Sequence, residues 1–158
     1  MDYVFESQPP IIEQDKSMLA RIVLVGAILG VVAWMLTYTL QRFVLANMVC
    51  NNGVVCVEAA NYAGQIATVV MGVVGVVALV RSGVYRPVLI TLGAAISLWG
   101  LSSWLYGSGI VPSVTWTAIL YALAYVAYAW VVRIRKVPVM LLIFAVLVII
   151  SRAIPAFV

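Results

Sequence analysis

Hydrophobic residues along the chain fall into five long runs that are separated by short polar stretches. A helix rises 1.5 Å per residue and the hydrocarbon core of a bilayer is about 30 Å thick, so roughly twenty apolar residues cross it. Each of the five runs is long enough by this measure. We therefore predict an all-α integral membrane protein with five transmembrane helices, at about residues 18–45, 62–80, 87–106, 113–132 and 138–157.

The first and last runs depart from an ordinary span. The first is longer than a bilayer requires, so we expect it to tilt or to extend beyond the membrane. The last contains Arg152 and Pro155, which interrupt the apolar pattern of its final turns. Of the five predicted spans, the fifth is therefore the one for which the apolar pattern gives the weakest support for a complete crossing of the membrane.

The overall composition places the chain among membrane proteins. Of its 158 residues 66% are hydrophobic and 9% are charged, and the mean hydropathy is +1.18. Soluble domains are about half apolar and a quarter charged, so a cytosolic enzyme, a disordered chain and a disulfide-rich secreted module are excluded. The pI near 9.3 comes from short basic clusters between apolar runs, and we expect no nucleic acid partner.

The positions of Lys and Arg predict the orientation. Short loops that are rich in these residues stay on the cytoplasmic side of a membrane. If all five runs cross, seven of the nine basic residues lie on the side of the N-terminus, and Arg42 and Arg152 lie on the other side. We therefore predict a bundle with its N-terminus inside and its C-terminus outside. The seven are Lys16, Arg21, Arg81, Arg86, Arg133, Arg135 and Lys136.

Residues 1–17 differ in character from residues 18–158, which we expect to form a single membrane domain. The first segment contains four of the five acids of the chain and is too short to fold alone. We expect it to be a cytoplasmic tail, followed by a first span that is kept as an anchor, because this apolar run is too long for a signal peptide. The acids and apolar residues of the tail suit either docking to a partner or a frayed terminus.

The two predicted cytoplasmic connections resemble each other. Arg81 is followed by Pro87, and Arg133 is followed by Pro138. An Arg suits the C-terminal end of one helix, and a Pro suits the first turn of the next. One interpretation is a pair of parallel helical hairpins with the first helix added outside them. The other is that the two short turns use Arg and Pro independently.

Cys50 and Cys56 are the only cysteines, and they flank the turn sequence NNGVV. Such a turn favours a separation within the range of about 4.4–6.8 Å between Cα atoms that a disulfide requires. The predicted topology places this loop outside, where disulfides persist, so we expect a structural bridge. The alternative is a redox-active pair, although the spacing is not Cys-x-x-Cys and no second pair is present. Two thiols without His are too few for a zinc site.

Small residues recur at helical spacing in several of the predicted spans. In lipid the hydrophobic effect does not drive helices together, and small side chains let their backbones approach closely. We expect these residues to pack helices within the bundle or to form a face for another subunit. They are Gly26, Gly30, Ala60, Gly64, Gly72, Gly75, Gly93 and Gly100, with Ala118, Ala122 and Ala129 on one side of the fourth span.

Tyr121, Tyr125 and Tyr128 share one face of the fourth span, because they are spaced by four and three residues. Tyrosine hydroxyls within a membrane need hydrogen-bond partners, so we expect this face to meet protein or a polar cavity. Gln65, Ser97 and Thr91 are candidate partners. Two interpretations stay open, a groove for a ligand or a lipid headgroup and ordinary hydrogen bonds between helices.

Arg152 is a charge near the outer end of the fifth span. It can extend its guanidinium to the interface or pair with Glu58, the only acid predicted on that side. We expect the first arrangement, with the ion pair as the alternative.

The chain lacks the residues that most membrane catalysts require. It contains no His, and no Asp, Glu or Lys lies within any predicted span. Proton-coupled transport, general acid-base catalysis and metal binding generally depend on such groups. We therefore expect a protein that is not an enzyme and that has no cofactor and no metal. The absence of an Asn-x-Ser/Thr site mildly favours a prokaryotic plasma membrane.

Three functions are compatible with these features. The first is an integral subunit or assembly factor of a larger membrane complex, which would work through its small-residue faces and its acidic tail. The second is a small oligomeric transporter or channel for a small solute or a lipid. The third is a membrane thiol-disulfide oxidoreductase that uses Cys50 and Cys56.

Overall fold

The computed structural model describes residues 16–45 and 56–153, and within them the side chains of all residues except 16, 56 and 152. The described part contains helices and short connections and no β-strand. The elements are α1 (Lys16–Thr39), a π-helical segment π1 (Leu40–Leu45), α2 (Cys56–Arg81), α3 (Pro87–Ser97), α4 (Leu101–Trp104), α5 (Ile110–Val131) and α6 (Val137–Ala153).

Four helical stretches in this part are long and apolar enough to cross a membrane. The prediction of an all-helical protein is thus confirmed for the described residues, and the four stretches are compatible with an integral membrane location. The apolar part of α6, Val137–Ser151, is shorter than these four. The four stretches are Ser17–Leu45, Val57–Arg81, Pro87–Trp104 and Ile110–Val131.

Helix α1 lies between two other helices of the bundle. It packs most extensively against α5 and then against α2, while α3 packs against both α2 and α5. Helix α6 makes smaller contacts with α3 and α5. Helix α1 is therefore an integral part of the packing, and the interpretation of two parallel hairpins with an added first helix stays a prediction.

Close backbone contact explains why α1 and α5 pack so extensively. A Cβ added to Gly26 would lie 2.9 Å from the Ala122 Cα, and one added to Gly30 would lie 2.7 Å from the Ala118 Cα. The two glycines therefore face the two alanines, and neither pair leaves room for a larger side chain. This is the arrangement that small residues spaced by four positions allow in lipid.

The interior of the bundle contains hydroxyl groups among its apolar side chains. Helix α5 carries a stripe of five hydroxyl-bearing residues that are all buried, whereas large apolar side chains are exposed around the bundle. A lipid-facing exterior and a hydrogen-bonded interior are what a membrane solvent favours. The stripe consists of Ser113, Thr117, Tyr121, Tyr125 and Tyr128.

The third predicted span is broken, which corrects the expectation of a continuous helix over residues 87–106. Helix α3 ends at Ser97, and a turn that includes Gly100 leads into the single-turn helix α4. Gly100 has φ of 87°, a left-handed conformation that a residue with a Cβ rarely adopts. Irregular backbone at membrane depth is tolerated where it is buried in protein or lines a cavity.

Two short connections, residues 82–86 and 132–136, lie at one end of the bundle, which we call the basic end. Arg81 closes α2 and Pro87 opens α3, in agreement with the expected use of Arg and Pro at helix ends. Arg86 has φ of 52°, and its Nη1 lies 3.1 Å from the Met140 Sδ of α6. This contact ties the first connection to the start of α6.

Candidate binding cavity

A cavity of about 250 Å³ lies between α1, α2, α4 and α5, at the end of the bundle opposite the basic end. No Asp, Glu, Lys or Arg is among its lining residues, and half of them carry a hydroxyl or a side-chain amide. We call it the polar cavity. Its hydrogen-bonding side chains are Trp34, Thr37, Tyr38, Gln41, Thr68, Ser102, Tyr106, Ser113, Thr117 and Tyr121.

Most of the Ser and Thr hydroxyls in the polar cavity donate their proton to the backbone. Thr37 donates to the Ala33 carbonyl at 2.8 Å, and Thr117 donates to the Ser113 carbonyl at 2.7 Å. Ser113 and Thr68 likewise bond the carbonyl four residues earlier. A hydroxyl has one proton and two lone pairs, so these groups present mainly acceptor sites to the cavity.

Ser102 is the exception among these side chains. Its Oγ is buried and has no hydrogen-bond partner among the described residues. It lies against Gly64 of α2, where an added Cβ would overlap it. A buried hydroxyl that bonds nothing costs about 1–3 kcal/mol, so a group that enters the cavity and bonds Ser102 recovers that cost.

The floor of the polar cavity is formed by Tyr121 of α5 and Thr68 of α2, which both line it. Thr68 donates its proton to the Gly64 carbonyl at 2.7 Å. Beyond this floor the hydroxyl of Tyr125 lies against Gly75, close to Leu29 and Thr91, and fills the bundle interior.

An aromatic pair and an Arg stand at the mouth of the polar cavity. The rings of Trp34 and Tyr38 are stacked with centroids 5.4 Å apart, and both residues line the cavity. Arg42 donates from Nη1 to the Tyr38 hydroxyl at 2.8 Å. Arg42 belongs to π1, and π-helical turns occur often at functional sites. The same segment places Gln41 in the cavity wall.

A second depression, of about 300 Å³, lies on the other side of the broken span, between α3, α4, α5 and α6. We call it the apolar groove. Leucines, alanines and two tryptophans form most of its wall, and its Ser and Tyr hydroxyls are bonded within the protein. Tyr128 bonds Ser97, and Ser151 donates to the Val148 carbonyl at 2.8 Å.

The residues that were predicted to form one tyrosine groove lie in three different parts of the bundle. Tyr121 lines the polar cavity, Tyr128 and Ser97 line the apolar groove, and Tyr125 lies in the interior between them. Gln65 lines neither and donates to the Asn61 side chain at 3.5 Å.

The predicted small residues also take different places. Gly26, Gly30, Gly64 and Gly75 contact neighbouring helices, as described above, and a Cβ on Gly93 would lie 2.6 Å from the Tyr128 ring. Ala60 is buried, and Gly72 has only an ordinary contact with Ala95. Gly100 has nothing within 4 Å of its Cβ position, so its role is in the turn before α4 rather than in packing.

Two predicted pairs lie partly outside the described part of the chain. Cys50 is outside it, and so is the side chain of Cys56, so the disulfide stays a prediction. The side chain of Arg152 is also outside it, while Glu58 is exposed in the first turn of α2. Among the described residues no group of three or more His, Cys, Asp or Glu could hold a metal ion.

Sequence reasoning missed the polar cavity and its most distinctive residue, Ser102. A signal was present, because Ser113 and Thr117 continue the tyrosine stripe of α5 at a spacing of four residues. Gln41 and Thr37 carried no comparable signal, since their position depends on how α1 meets α2 and α5.

No protein-family model matches the chain, and no curated protein or solved structure is significantly similar to it.

Proposed function

We propose that the protein is a non-catalytic membrane transport protein that takes an uncharged, hydroxyl-bearing molecule into the polar cavity. The observation that carries this proposal is an uncharged cavity whose wall includes Ser102, a residue whose buried hydroxyl lacks a partner among the described residues. A pocket that combines apolar walls with a few convergent polar groups is the usual form of a small-molecule site.

The hydrogen-bonding character of the cavity favours a ligand that donates protons. Thr37, Ser113 and Thr117 have already donated to backbone carbonyls and keep lone pairs. Ser102 can donate or accept. A molecule with several hydroxyl groups satisfies such a surface better than one that carries only acceptors.

The charges around the cavity favour a neutral ligand. Burying an ion without a partner costs several kcal/mol, and no charged side chain lines the cavity. Arg42, at the mouth, has no carboxylate within ion-pair distance among the described residues, and it disfavours the approach of a cation.

The broken third span supports transport rather than static binding. Transporter sites are typically formed by discontinuous helices. The turn between α3 and α4 contributes Leu98 to the cavity wall, and α4 contributes Leu101 and Ser102. We further propose the N-terminus-inside orientation, in a prokaryotic plasma membrane, so that the cavity opens to the outer face and the basic end lies inside.

Glycerol uptake into liposomes that contain the purified protein tests this function. We expect faster osmotic swelling with glycerol than in protein-free liposomes, and no uptake of glycerol phosphate. Ser102→Ala should slow glycerol flux about twofold to tenfold, the effect of one hydrogen bond of about 0.5–1.5 kcal/mol.

Ser103→Ala is the matched control, because Ser103 does not line the cavity and donates to the Gly100 carbonyl at 2.7 Å. It should leave the flux unchanged. Equal rates with and without protein, or equal losses in the two serine variants, would contradict the proposal.

The other two functions have less support from the described residues. A subunit that assembles through its glycine faces is disfavoured, because most of these glycines are covered within the bundle. A thiol oxidoreductase would depend on Cys50 and Cys56, and no described group could relay electrons from them.

A further inference from the structure

The polar cavity and the apolar groove share two residues of their walls. Leu98 and Leu101 line both, so they form the partition between the two spaces. One space is uncharged and rich in hydrogen-bonding groups, and the other is mainly hydrocarbon. They lie side by side at the break in the third span.

We propose that the apolar groove holds the hydrocarbon chain of a lipid whose uncharged headgroup occupies the polar cavity. This inference rests on the proposed function and names its ligand class, a hydroxylated amphiphile. Movement of Leu98 and Leu101 would join the two spaces and let the lipid enter from the side.

The groove has the surface that a hydrocarbon chain requires. Of its polar side chains, Ser97 and Tyr128 bond each other, and Ser151 bonds its own helix backbone. A ligand in the groove therefore gains mainly apolar contact, because these three polar side chains are already bonded. Its volume of about 300 Å³ suits a chain and not a second helix, which is about 10–12 Å across.

The partition belongs to a segment with little regular structure. Helix α4 has only four residues, and glycines with positive φ stand on both sides of it, Gly100 at 87° and Gly107 at 86°. Neither glycine has a heavy atom within 4 Å of its Cβ position. The backbone can therefore turn freely on both sides of α4, while Leu101 of α4 is buried in the core.

Helix α6 forms the outer wall of the groove. Near its start, Met140 is buried and Phe144 packs against the Tyr128 ring with centroids 5.0 Å apart. Further along, Leu147 and Ser151 line the groove instead of closing it. The groove is therefore bounded by four helices and open on the outer surface of the bundle.

Tryptophan quenching by a monoacylglycerol with a brominated chain tests the inference. All four of Trp99, Trp104, Trp116 and Trp130 are exposed, but only Trp99 and Trp104 line the groove, and Trp116 and Trp130 line neither space. Two forms of the protein in phosphatidylcholine nanodiscs would each keep one of these pairs, with the other tryptophans changed to Phe. At a low fraction of the brominated lipid, the fluorescence of the groove pair should be quenched several-fold more than that of the other pair. As the fraction of the brominated lipid rises, the quenching of the groove pair should reach a plateau.

Blocking the groove should remove the saturating part of the signal. Ala127→Phe places a ring in the groove, and Ala145→Phe places the same ring on an exposed position of α6 as a control. Loss of saturation in the first variant alone would support the inference. Because the comparison of the two tryptophan pairs needs no groove variant, the test stands even if Ala127→Phe does not fold.

The outcomes separate this inference from the proposed function. Equal, unsaturated quenching of both tryptophan pairs, together with intact glycerol flux, would overturn the lipid ligand and leave the cavity as a site for a small solute. Unsaturated quenching of both tryptophan pairs, together with the absence of glycerol flux, would overturn both the lipid ligand and the proposed transport function.

Discussion

Gly30 of α1 lies directly against the backbone of Ala118 in α5, so that a methyl group on Gly30 would come within 2.7 Å of the Ala118 Cα. The same methyl group would lie 2.8 Å from the Thr117 carbonyl oxygen. The contact brings α1 close to the hydroxyl stripe of α5. It therefore sets the width of the polar cavity, to which α1 contributes Ala33 and Thr37.

Gly30→Ala should destabilise the protein by about 1–3 kcal/mol, because the backbone of α5 has to move to admit the methyl group. Unfolding by sodium dodecyl sulfate in mixed micelles measures this change. Gly72→Ala is the control, since its Cβ would lie 4.0 Å from the nearest heavy atom, the Ala95 Cβ. It should be neutral or stabilise by up to about 1 kcal/mol. Similar losses at the two glycines would contradict the contact.

Gly64→Ala should also destabilise the protein by about 1–3 kcal/mol, through overlap with the Ser102 side chain. Ser102→Gly should relieve the overlap, so the double variant should recover most of the lost stability. Glycine is needed in place of alanine because the Ser102 Cβ is itself 2.6 Å from the added methyl group. If the changes in unfolding free energy of Gly64→Ala and Ser102→Gly simply add in the double variant, the two residues are not in contact.

Tyr128→Phe and Ser97→Ala should be coupled, because the two hydroxyls bond each other between α5 and α3. Hydrogen bonds between membrane helices contribute about 0.6 kcal/mol on average and up to about 1.7 kcal/mol. A double-variant cycle of unfolding free energies should give a coupling in that range. A coupling of zero would mean that the bond does not form in the membrane.

Cys50 and Cys56 should resist alkylation in the protein taken from its own membrane until a reductant is added. This follows from the predicted bridge across the turn NNGVV. The mass of the protein after alkylation, with and without reductant, gives the result. Alkylation of both thiols without reductant would rule out the bridge.

The apolar runs were sufficient to predict the helices, because a span in lipid needs only length and hydrophobicity. The sequence also predicted the roles of some single residues. Ser97 bonds a tyrosine of the stripe, and Pro87 opens α3. Gly26 and Gly30 had the spacing of a packing motif, although their spacing did not indicate that α5 is the helix they meet.

The break in the third span and the polar cavity depend on contacts between distant residues. Gly100 had the spacing of a packing glycine, yet the backbone uses it for a turn with positive φ. Ser102 and Gln41 are far apart in the sequence and line one space only because α1, α2, α4 and α5 surround it. Hydropathy along the chain does not encode which helices are neighbours.

Cysteine reactivity at position 102 tests the central claim, that the polar cavity admits a neutral polyol, most directly. In a Cys50→Ser/Cys56→Ser background, Ser102→Cys should react with a small hydrophilic methanethiosulfonate, and glycerol should slow that reaction several-fold. Ser108→Cys, exposed in the α4–α5 connection, should react without protection, and Leu123→Cys, on an exposed apolar position of α5, should not react. An unreactive Ser102→Cys, or equal slowing at positions 102 and 108, would contradict the account.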